Sequence, residues 1–153
     1  MTKTVALLLL VSLTAAGCAT VTPATSFPTG EEALLRLKRN PTTYEQGAKG
    51  IINTIARAWA VGDQKELARW DPLGLIRPKG PGTAASLDIL DEAVWIGTDT
   101  ITIRASWSKD SVESSGSLAT RHMVNFTFDV TRSMTLKAIE GENPFDTSLG
   151  LQK

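Results

Sequence analysis

The sequence has one cysteine, Cys18, and one histidine, His122, which are its most reactive side chains. A zinc site needs three or four Cys, His or carboxylate ligands, so a lone thiol and a lone imidazole exclude a Cys/His zinc centre. The 16 Lys and Arg side chains balance the 16 Asp and Glu side chains, so the neutral chain provides no field that attracts nucleic acid. Glycine-rich phosphate loops, nucleophile elbows and His-Glu-x-x-His motifs do not occur. We therefore expect no metal, no cofactor and no nucleic-acid partner.

Cys18 follows an apolar segment with the properties of a secretion signal. Residues 5–17 contain no charged side chain, and Lys3 precedes them. As a helix they would span about 20 Å, which is too short for the ~30 Å hydrocarbon core of a membrane. The segment ends in Ala16-Gly17-Cys18, which resembles the lipobox of bacterial lipoproteins. The resemblance implies cleavage between Gly17 and Cys18, and a diacylglyceryl cysteine that also carries palmitate. The alternative is an ordinary signal-peptidase site beside a buried structural cysteine.

This signal sets the domain boundaries. We interpret residues 1–17 as a lipoprotein signal peptide and residues 18–29 as the lipidated cysteine with a flexible tether, because the latter are rich in Thr, Ala and Pro. Such a tether reaches at most ~40 Å, so the domain stays near the membrane. Ala19 stands where Asp retains lipoproteins at the inner membrane, which implies anchoring in the outer membrane on the periplasmic side. Residues 30–145 are the predicted folded domain, and residues 146–153 are a C-terminal tail.

The first half of the domain has helical periodicity. A capping box at Thr29 predicts a helix over residues 31–39, and a second box at Thr43 predicts a longer helix that Gly62 ends. Gly47 and Gly50 inside the longer helix each cost roughly 1 kcal/mol relative to Ala, so we expect a close packing contact there. Two short elements are predicted after it: a helix over residues 64–70 and, within a loop, a strand at Leu75-Ile76.

The second half alternates between apolar and polar residues, which is typical of half-buried strands. Four strands are predicted, at residues 86–96, 100–108, 118–130 and 133–140. The first slips in phase near Asp91, which indicates a bulge. Short connections favour antiparallel neighbours, so we expect an α+β domain in which N-terminal helices pack on a curved antiparallel meander sheet.

The stretch from Ile55 to Ala68 carries a second resemblance. An apolar helix ends in Gly62-Asp63 and a Leu-Ala pair follows, which is similar to the first-helix signature of the NTF2-like (SnoaL-like, ketosteroid-isomerase-like) superfamily. The resemblance covers roughly residues 43–145. It implies that helices and sheet form an NTF2-like cone with an open cavity, which in that superfamily often binds an apolar ligand or holds acid and base side chains.

His122 is the candidate for such a cavity, because it alternates in phase with the apolar residues of its strand. An inward His122, near Trp107, Tyr44 or Trp59 across the cavity, would bind a ligand or transfer a proton. The alternative is a histidine at the sheet rim, bonded to solvent or backbone. A second candidate surface is the basic patch of Arg36, Lys38 and Arg39, which would meet lipid headgroups near a membrane or else be a solvated helix face.

Three functions stay open at this point. The favoured one is a non-enzymatic lipoprotein, held at the membrane by its acyl chains, that acts in envelope structure or protein assembly. Its partner would be an unknown envelope protein or a second copy, because NTF2-like folds commonly dimerise through the sheet, here with Thr102, Arg104 and Thr127 outward. The alternatives are a binding module for a small apolar ligand, and a cavity enzyme of isomerase or hydratase type that uses His122.

Overall fold

A computed structural model describes residues 26–78, 85–109 and 121–146. Within these ranges the helices precede the strands: α1 (Gly30–Arg39), α2 (Pro41–Val61), α3 (Gln64–Trp70), β1 (Ala85–Ile96), β2 (Thr100–Lys109), β3 (His122–Asp129) and β4 (Thr135–Gly141). The strands form one antiparallel sheet in the order β1-β2-β3-β4. The predicted α+β class, with helices first and an antiparallel meander second, is confirmed. The predicted signal peptide, most of the tether and nearly all of the C-terminal tail lie outside the described residues.

The start of α1 is fixed by a tertiary contact, and the predicted capping box at Thr29 is wrong. The Thr29 side chain makes no cap hydrogen bond. Instead, the Gly30 N–H donates to the carbonyl oxygen of Thr131 at 2.8 Å, and Thr29 forms an isolated antiparallel bridge with Arg132. Gly30 has a φ of 61°, a conformation that glycine adopts without steric cost. The chain therefore enters α1 bonded to the turn between β3 and β4.

Asn40 both ends α1 and begins α2, which starts earlier than the predicted box at Thr43. Its side-chain oxygen accepts the Thr43 N–H at 3.4 Å, and Pro41 occupies the first turn, where a missing N–H costs no hydrogen bond. At the other end Gly62 is left-handed, as predicted for a helix terminus, and Asp63 caps α3.

The segment after α3 is a loop, so the predicted strand at Leu75-Ile76 is wrong. Asp71 is buried, and its two carboxylate oxygens accept the N–H groups of Leu75 at 2.9 Å and Ile76 at 2.7 Å. These charge-assisted bonds give the backbone a side-chain partner in place of a neighbouring strand. They also hold the buried Ile76 side chain in the core.

The sheet follows the predicted alternation, with one register shift between β1 and β2 and another between β3 and β4 at Thr127 and Phe128. The register of β1 against β2 shifts between Ile89 and Val94, which confirms the predicted bulge near Asp91. β4 begins two residues later than predicted, because Ser133 and Met134 have φ angles of 58° and 60° and belong to the turn. β3 begins at His122, whereas residues 118–120 of the predicted strand lie outside the described residues.

The core lies between α2 and the inner face of the sheet. The inward side chains of β2 and β3 are almost completely buried: Ile101, Ile103, Ala105, Trp107, Val124, Phe126 and Phe128. On the opposite side of the core, Phe27 packs on Gly47 so closely that a Cβ at this position would collide with the phenyl ring. The close contact predicted from Gly47 is thus confirmed, and its partner is the segment that precedes α1.

Candidate functional site

His122 lies at the first position of β3, at the rim of the sheet. The β2–β3 register places it opposite Trp107, and the two rings stack with centroids 4.4 Å apart and an angle of 24° between their planes. His122 Nδ1 lies 3.0 Å from Oε2 of Glu142, which follows β4. We term His122, Trp107 and Glu142 the His122 cluster.

Hydrogen bonds connect the members of the His122 cluster to one another and to the adjacent backbone. Trp107 Nε1 donates to the carbonyl oxygen of Glu142, whose Oε2 accepts the Met123 N–H at 3.3 Å as well as the imidazole hydrogen bond. The bond from His122 lowers the pKa of Glu142 below its usual 4.5, against a smaller opposing effect of desolvation. The arrangement fixes the orientation of an imidazole that remains 26% exposed.

Trp59 lies near the C-terminal end of α2. Its indole Nε1 donates to the carbonyl oxygen of Arg77 at 2.8 Å, and its ring packs on Phe145 with centroids 5.4 Å apart. Phe145 in turn lies 6.1 Å from Phe126 of β3. Aromatic rings therefore occupy the space between the end of α2 and the middle of the sheet, where the NTF2-like resemblance implied a cavity.

Tyr44 lies at the opposite end of the molecule from His122. It packs against Phe27 with ring centroids 5.3 Å apart, and the Phe27 carbonyl oxygen accepts the Ser133 hydroxyl at 2.7 Å. Ser133 follows β3, whereas His122 begins it, so the whole strand of eight residues, about 25 Å, separates the two ends. Of the four residues predicted to share a cavity, His122 and Trp107 stack on each other, whereas Tyr44 packs on Phe27 and Trp59 packs on Phe145.

A surface pocket of about 260 Å³ opens beside Tyr44, and we term it the Tyr44 pocket. Its apolar wall comes from Phe27, Pro28 and the Tyr44 ring, while α1 contributes Arg36 and Arg39. The remaining lining residues lie at the first described position and at the α1–α2 junction: Ser26, Asn40 and Thr43. Within the described part of the chain, this lining includes two guanidinium groups and no carboxylate.

The Tyr44 hydroxyl is the unusual group of this pocket. Tyr44 is only 3% exposed, and its hydroxyl oxygen has no hydrogen-bond partner among the described residues. Burial raises the pKa of the phenol, opposed by Arg36 and reinforced by Glu32, so the hydroxyl stays protonated at neutral pH. A buried polar group without a partner costs about 1–3 kcal/mol, so native proteins rarely retain one without a reason.

The sequence patterns single out Tyr44, Arg36 and Arg39, but they do not predict that these residues line one pocket. Tyr44 was expected beside His122, and Arg36 and Arg39 were expected only as a basic patch. Phe27, which forms the wall, belongs to the segment that was read as tether. The one available signal was Gly47, which indicated that something packs closely on α2.

The outer face of the sheet, opposite the core, forms a third surface. The Thr102 and Thr127 hydroxyl oxygens lie 3.0 Å apart, and Arg104 Nε donates to Asn125 Oδ1 at 3.2 Å. The Arg104 guanidinium also lies 5.0 Å from the centroid of the Trp95 ring. We term these five residues, with Met123 and Glu140, the outer sheet face. Trp95 and Met123 are 48% and 41% exposed.

Comparison of the chain with known protein families, with curated proteins and with solved structures gave no match. In residues 26–78, 85–109 and 121–146, no helix combines the length and apolar character needed to cross a bilayer. The same ranges contain no group of three or more His, Cys, Asp and Glu side chains placed to hold a metal ion. Three surfaces of the described residues are therefore the candidates for function: the His122 cluster, the Tyr44 pocket and the outer sheet face.

Proposed function

We propose that this protein is a lipoprotein, anchored through Cys18 in the outer membrane, whose periplasmic domain is a non-enzymatic assembly module. Its domain is a variant of the NTF2-like cone, and two copies associate through the outer sheet face. The observation that carries the proposal is this face itself, where a half-exposed tryptophan lies beside an arginine and a row of paired polar side chains.

The charges of the outer sheet face favour a second copy as the partner. The strand register aligns Arg104 of β2 with Asn125 of β3, and Asn125 with Glu140 of β4, so one row has a cation on one side and an anion on the other. A two-fold axis over β3 sets Arg104 of each copy opposite Glu140 of the second copy. Trp95 on β1 lies beside Arg104 at the rim of this contact, and tryptophan and arginine are enriched in protein interfaces.

The anchor supports the same conclusion in a different way. Acyl chains on Cys18 confine every copy to one membrane surface, with the domain within the ~40 Å reach of the tether. Confinement raises the effective concentration of copies relative to one another, so a weak sheet contact suffices for a populated dimer. The support for the NTF2-like cone is the order of elements, with helices before a four-stranded meander, together with the Gly62-Asp63 junction between α2 and α3.

The test of the assembly is crosslinking of the intact protein in cells, with partners identified by mass spectrometry. We expect a crosslinked homodimer that Arg104→Glu removes and that Arg104→Glu with Glu140→Arg restores. Arg57→Glu is the matched control, because Arg57 is an exposed arginine of α2 on the other side of the molecule. A homodimer that persists in Arg104→Glu, or a charge swap that fails to restore it, would contradict the proposed contact.

The anchor has its own test, which does not depend on the dimer. Wild-type protein should incorporate radiolabelled fatty acid and sediment with outer membranes, whereas Cys18→Ser should lose both properties. A Cys18→Ser variant that still incorporates the label would disprove the lipoprotein assignment.

A further inference from the structure

We propose that the Tyr44 pocket binds the phosphate-bearing headgroup of an anionic phospholipid from the membrane in which the protein is anchored. This inference rests on the proposed anchor at Cys18 but not on the proposed dimer. It assigns to the pocket a ligand that has a negative charge for the two arginines, an apolar flank for the phenyl wall and an acceptor for the Tyr44 hydroxyl.

The charges at the pocket favour an anion. Arg36 and Arg39 line it, and a guanidinium matches the geometry of a phosphate better than any other cationic side chain. Arg36 also pairs with Glu32 at 2.6 Å, but both side chains are 61% exposed, and such surface pairs are weak enough for a phosphate to compete.

The N-terminus of α2 adds to this field. Asn40 and Thr43, at the start of α2, line the pocket, and the first turn of this 21-residue helix has no acidic side chain. The partial positive charge of the helix N-terminus is therefore directed to the pocket, and no acidic side chain of that turn opposes it.

The buried Tyr44 hydroxyl indicates that the site is built for a ligand. Tyr44 lines the pocket, its hydroxyl stays protonated, and no described residue accepts the hydrogen bond of this hydroxyl. The hydroxyl oxygen is itself buried, so a phosphate or glycerol oxygen accepts its hydrogen bond only when the ligand displaces the adjacent pocket wall. A volume of about 260 Å³ lies just below the ~300–1,000 Å³ of pockets that enclose drug-sized ligands, so the pocket fits a headgroup and not a whole lipid.

The position of the pocket selects a lipid over a free metabolite. Ser26, eight residues after Cys18, belongs to the pocket lining. Eight extended residues span at most ~26 Å, so an acylated Cys18 keeps the pocket within that distance of the bilayer surface. Among the described residues, the pocket is therefore the site nearest to the anchor along the chain, and lipid headgroups are far more concentrated at a bilayer surface than any soluble phosphate.

The experiment uses the chain's only tyrosine as a reporter. The full mature lipoprotein, labelled with 3-fluorotyrosine, is placed in nanodiscs of phosphatidylcholine with an increasing share of phosphatidylglycerol, and the single fluorine resonance is followed by NMR. We expect a saturable shift with phosphatidylglycerol. Arg36→Gln with Arg39→Gln should weaken the response at least ~10-fold, because hydrogen bonds to charged groups are the strong ones. Arg57→Gln, the matched control on α2, should leave it unchanged.

Each alternative occupant gives a distinct result that overturns the proposal. If inorganic phosphate in pure phosphatidylcholine discs produces the same shift at the same occupancy, the site is one for free phosphate. If replacing residues 19–25 by a Gly/Ser sequence of equal length moves the resonance in pure phosphatidylcholine, the tether itself fills the pocket. The headgroup proposal is also rejected if phosphatidylglycerol causes no shift, or if the shift is unchanged in the double arginine variant. Fatty-acid labelling of the same samples shows whether the anchor failed instead.

Discussion

The His122 cluster and the Tyr44 pocket, at opposite ends of the domain, both combine aromatic rings with polar groups, but they differ in whether those polar groups are hydrogen-bonded. In the His122 cluster, Trp107 is 2% exposed, its indole donates to a backbone oxygen, and the imidazole is paired with Glu142. At the Tyr44 pocket an equally buried ring has a hydroxyl without a partner beside an open volume of about 260 Å³. The His122 cluster satisfies its own polar groups, although the hydroxyl of the neighbouring Ser106 is buried without a partner among the described residues. The Tyr44 hydroxyl lacks a partner beside an open pocket.

This difference shows that the rarest residue of a sequence need not mark the binding site. His122 attracts attention because it is the only histidine, yet its ring stack and its carboxylate pair are sufficient to explain its position at the rim. Tyr44 is likewise the only tyrosine, and its buried hydroxyl lacks a hydrogen-bond partner among the described residues beside an open pocket. We call the packed His122 end the closed end and the Tyr44 end, with its pocket, the open end. Substitutions at each end test this difference.

The largest effect is expected from truncation at the closed end. Trp107→Ala should lower the free energy of unfolding by about 3–5 kcal/mol, because it removes a fully buried ring and leaves a cavity. Trp95→Ala is the matched control: Trp95 is 48% exposed, so its loss should cost less than about 1 kcal/mol in the dilute monomer. Urea unfolding of the mature protein in mild detergent measures both. Equal losses would show that the His122 end is not closely packed.

At the open end, Gly47→Ala should destabilise the protein by about 1–3 kcal/mol, because the new methyl group collides with the Phe27 ring. Elsewhere in a helix this substitution stabilises by about 1 kcal/mol. Phe27→Leu provides the control background, since a smaller side chain relieves the collision. A cost of Gly47→Ala that is the same in both backgrounds would argue against the Phe27 contact.

Tyr44→Phe should be neutral or should stabilise the ligand-free protein by up to about 1 kcal/mol. It removes a buried hydroxyl that lacks a partner and keeps the ring that packs on Phe27. Thermal unfolding in phosphatidylcholine discs, which offer no anionic lipid, measures this change. A clear loss of stability would mean that the hydroxyl is already hydrogen-bonded within the protein, and the contrast between the two ends would disappear.

The smallest effect is the pH dependence at Glu142. Its pKa is lowered in the folded state, so its interaction stabilises the protein above the unfolded pKa and is lost as pH falls through the folded value. From about pH 5 to pH 3, the Tm of wild type should therefore fall slightly more than that of Glu142→Gln. Glu31→Gln, which removes an exposed carboxylate of α1, is the control. Parallel curves for wild type and Glu142→Gln would mean that the His122 contact contributes nothing in solution.

Most of the secondary structure could be predicted because its signals are local. The alternation of β2 and β3, the slip in β1, the Gly62-Asp63 junction and the break at Asn40-Pro41 each depend on neighbours within a few residues. The predictions failed where a backbone N–H group is hydrogen-bonded to a partner other than the one that the local pattern predicts. Thr29 was expected to cap α1, but Thr131 accepts the Gly30 N–H, and the Asp71 carboxylate takes the N–H groups of the expected strand at Leu75-Ile76.

The candidate site was predicted less completely, because alternation and helical periodicity say which face a residue occupies but not how far along the element its partner lies. His122 and Trp107 were correctly placed on one face, and β-strand register brings them together. Tyr44 and Trp59 share the buried face of α2, but a helix separates residues 15 positions apart by about 22 Å, too far for one small cavity.

The sequence by itself determined most of the helices and strands, because each is set by residue types and spacing over a short stretch, and the proposed anchor at Cys18 rests on the sequence alone. Only the tertiary structure decided that Phe27 closes one wall of a pocket, that Tyr44 ends without a hydrogen-bond partner, and that His122 pairs with Glu142. These three contacts depend on which segments, distant in sequence, become neighbours in the fold. Packing of the whole core decides which segments are neighbours.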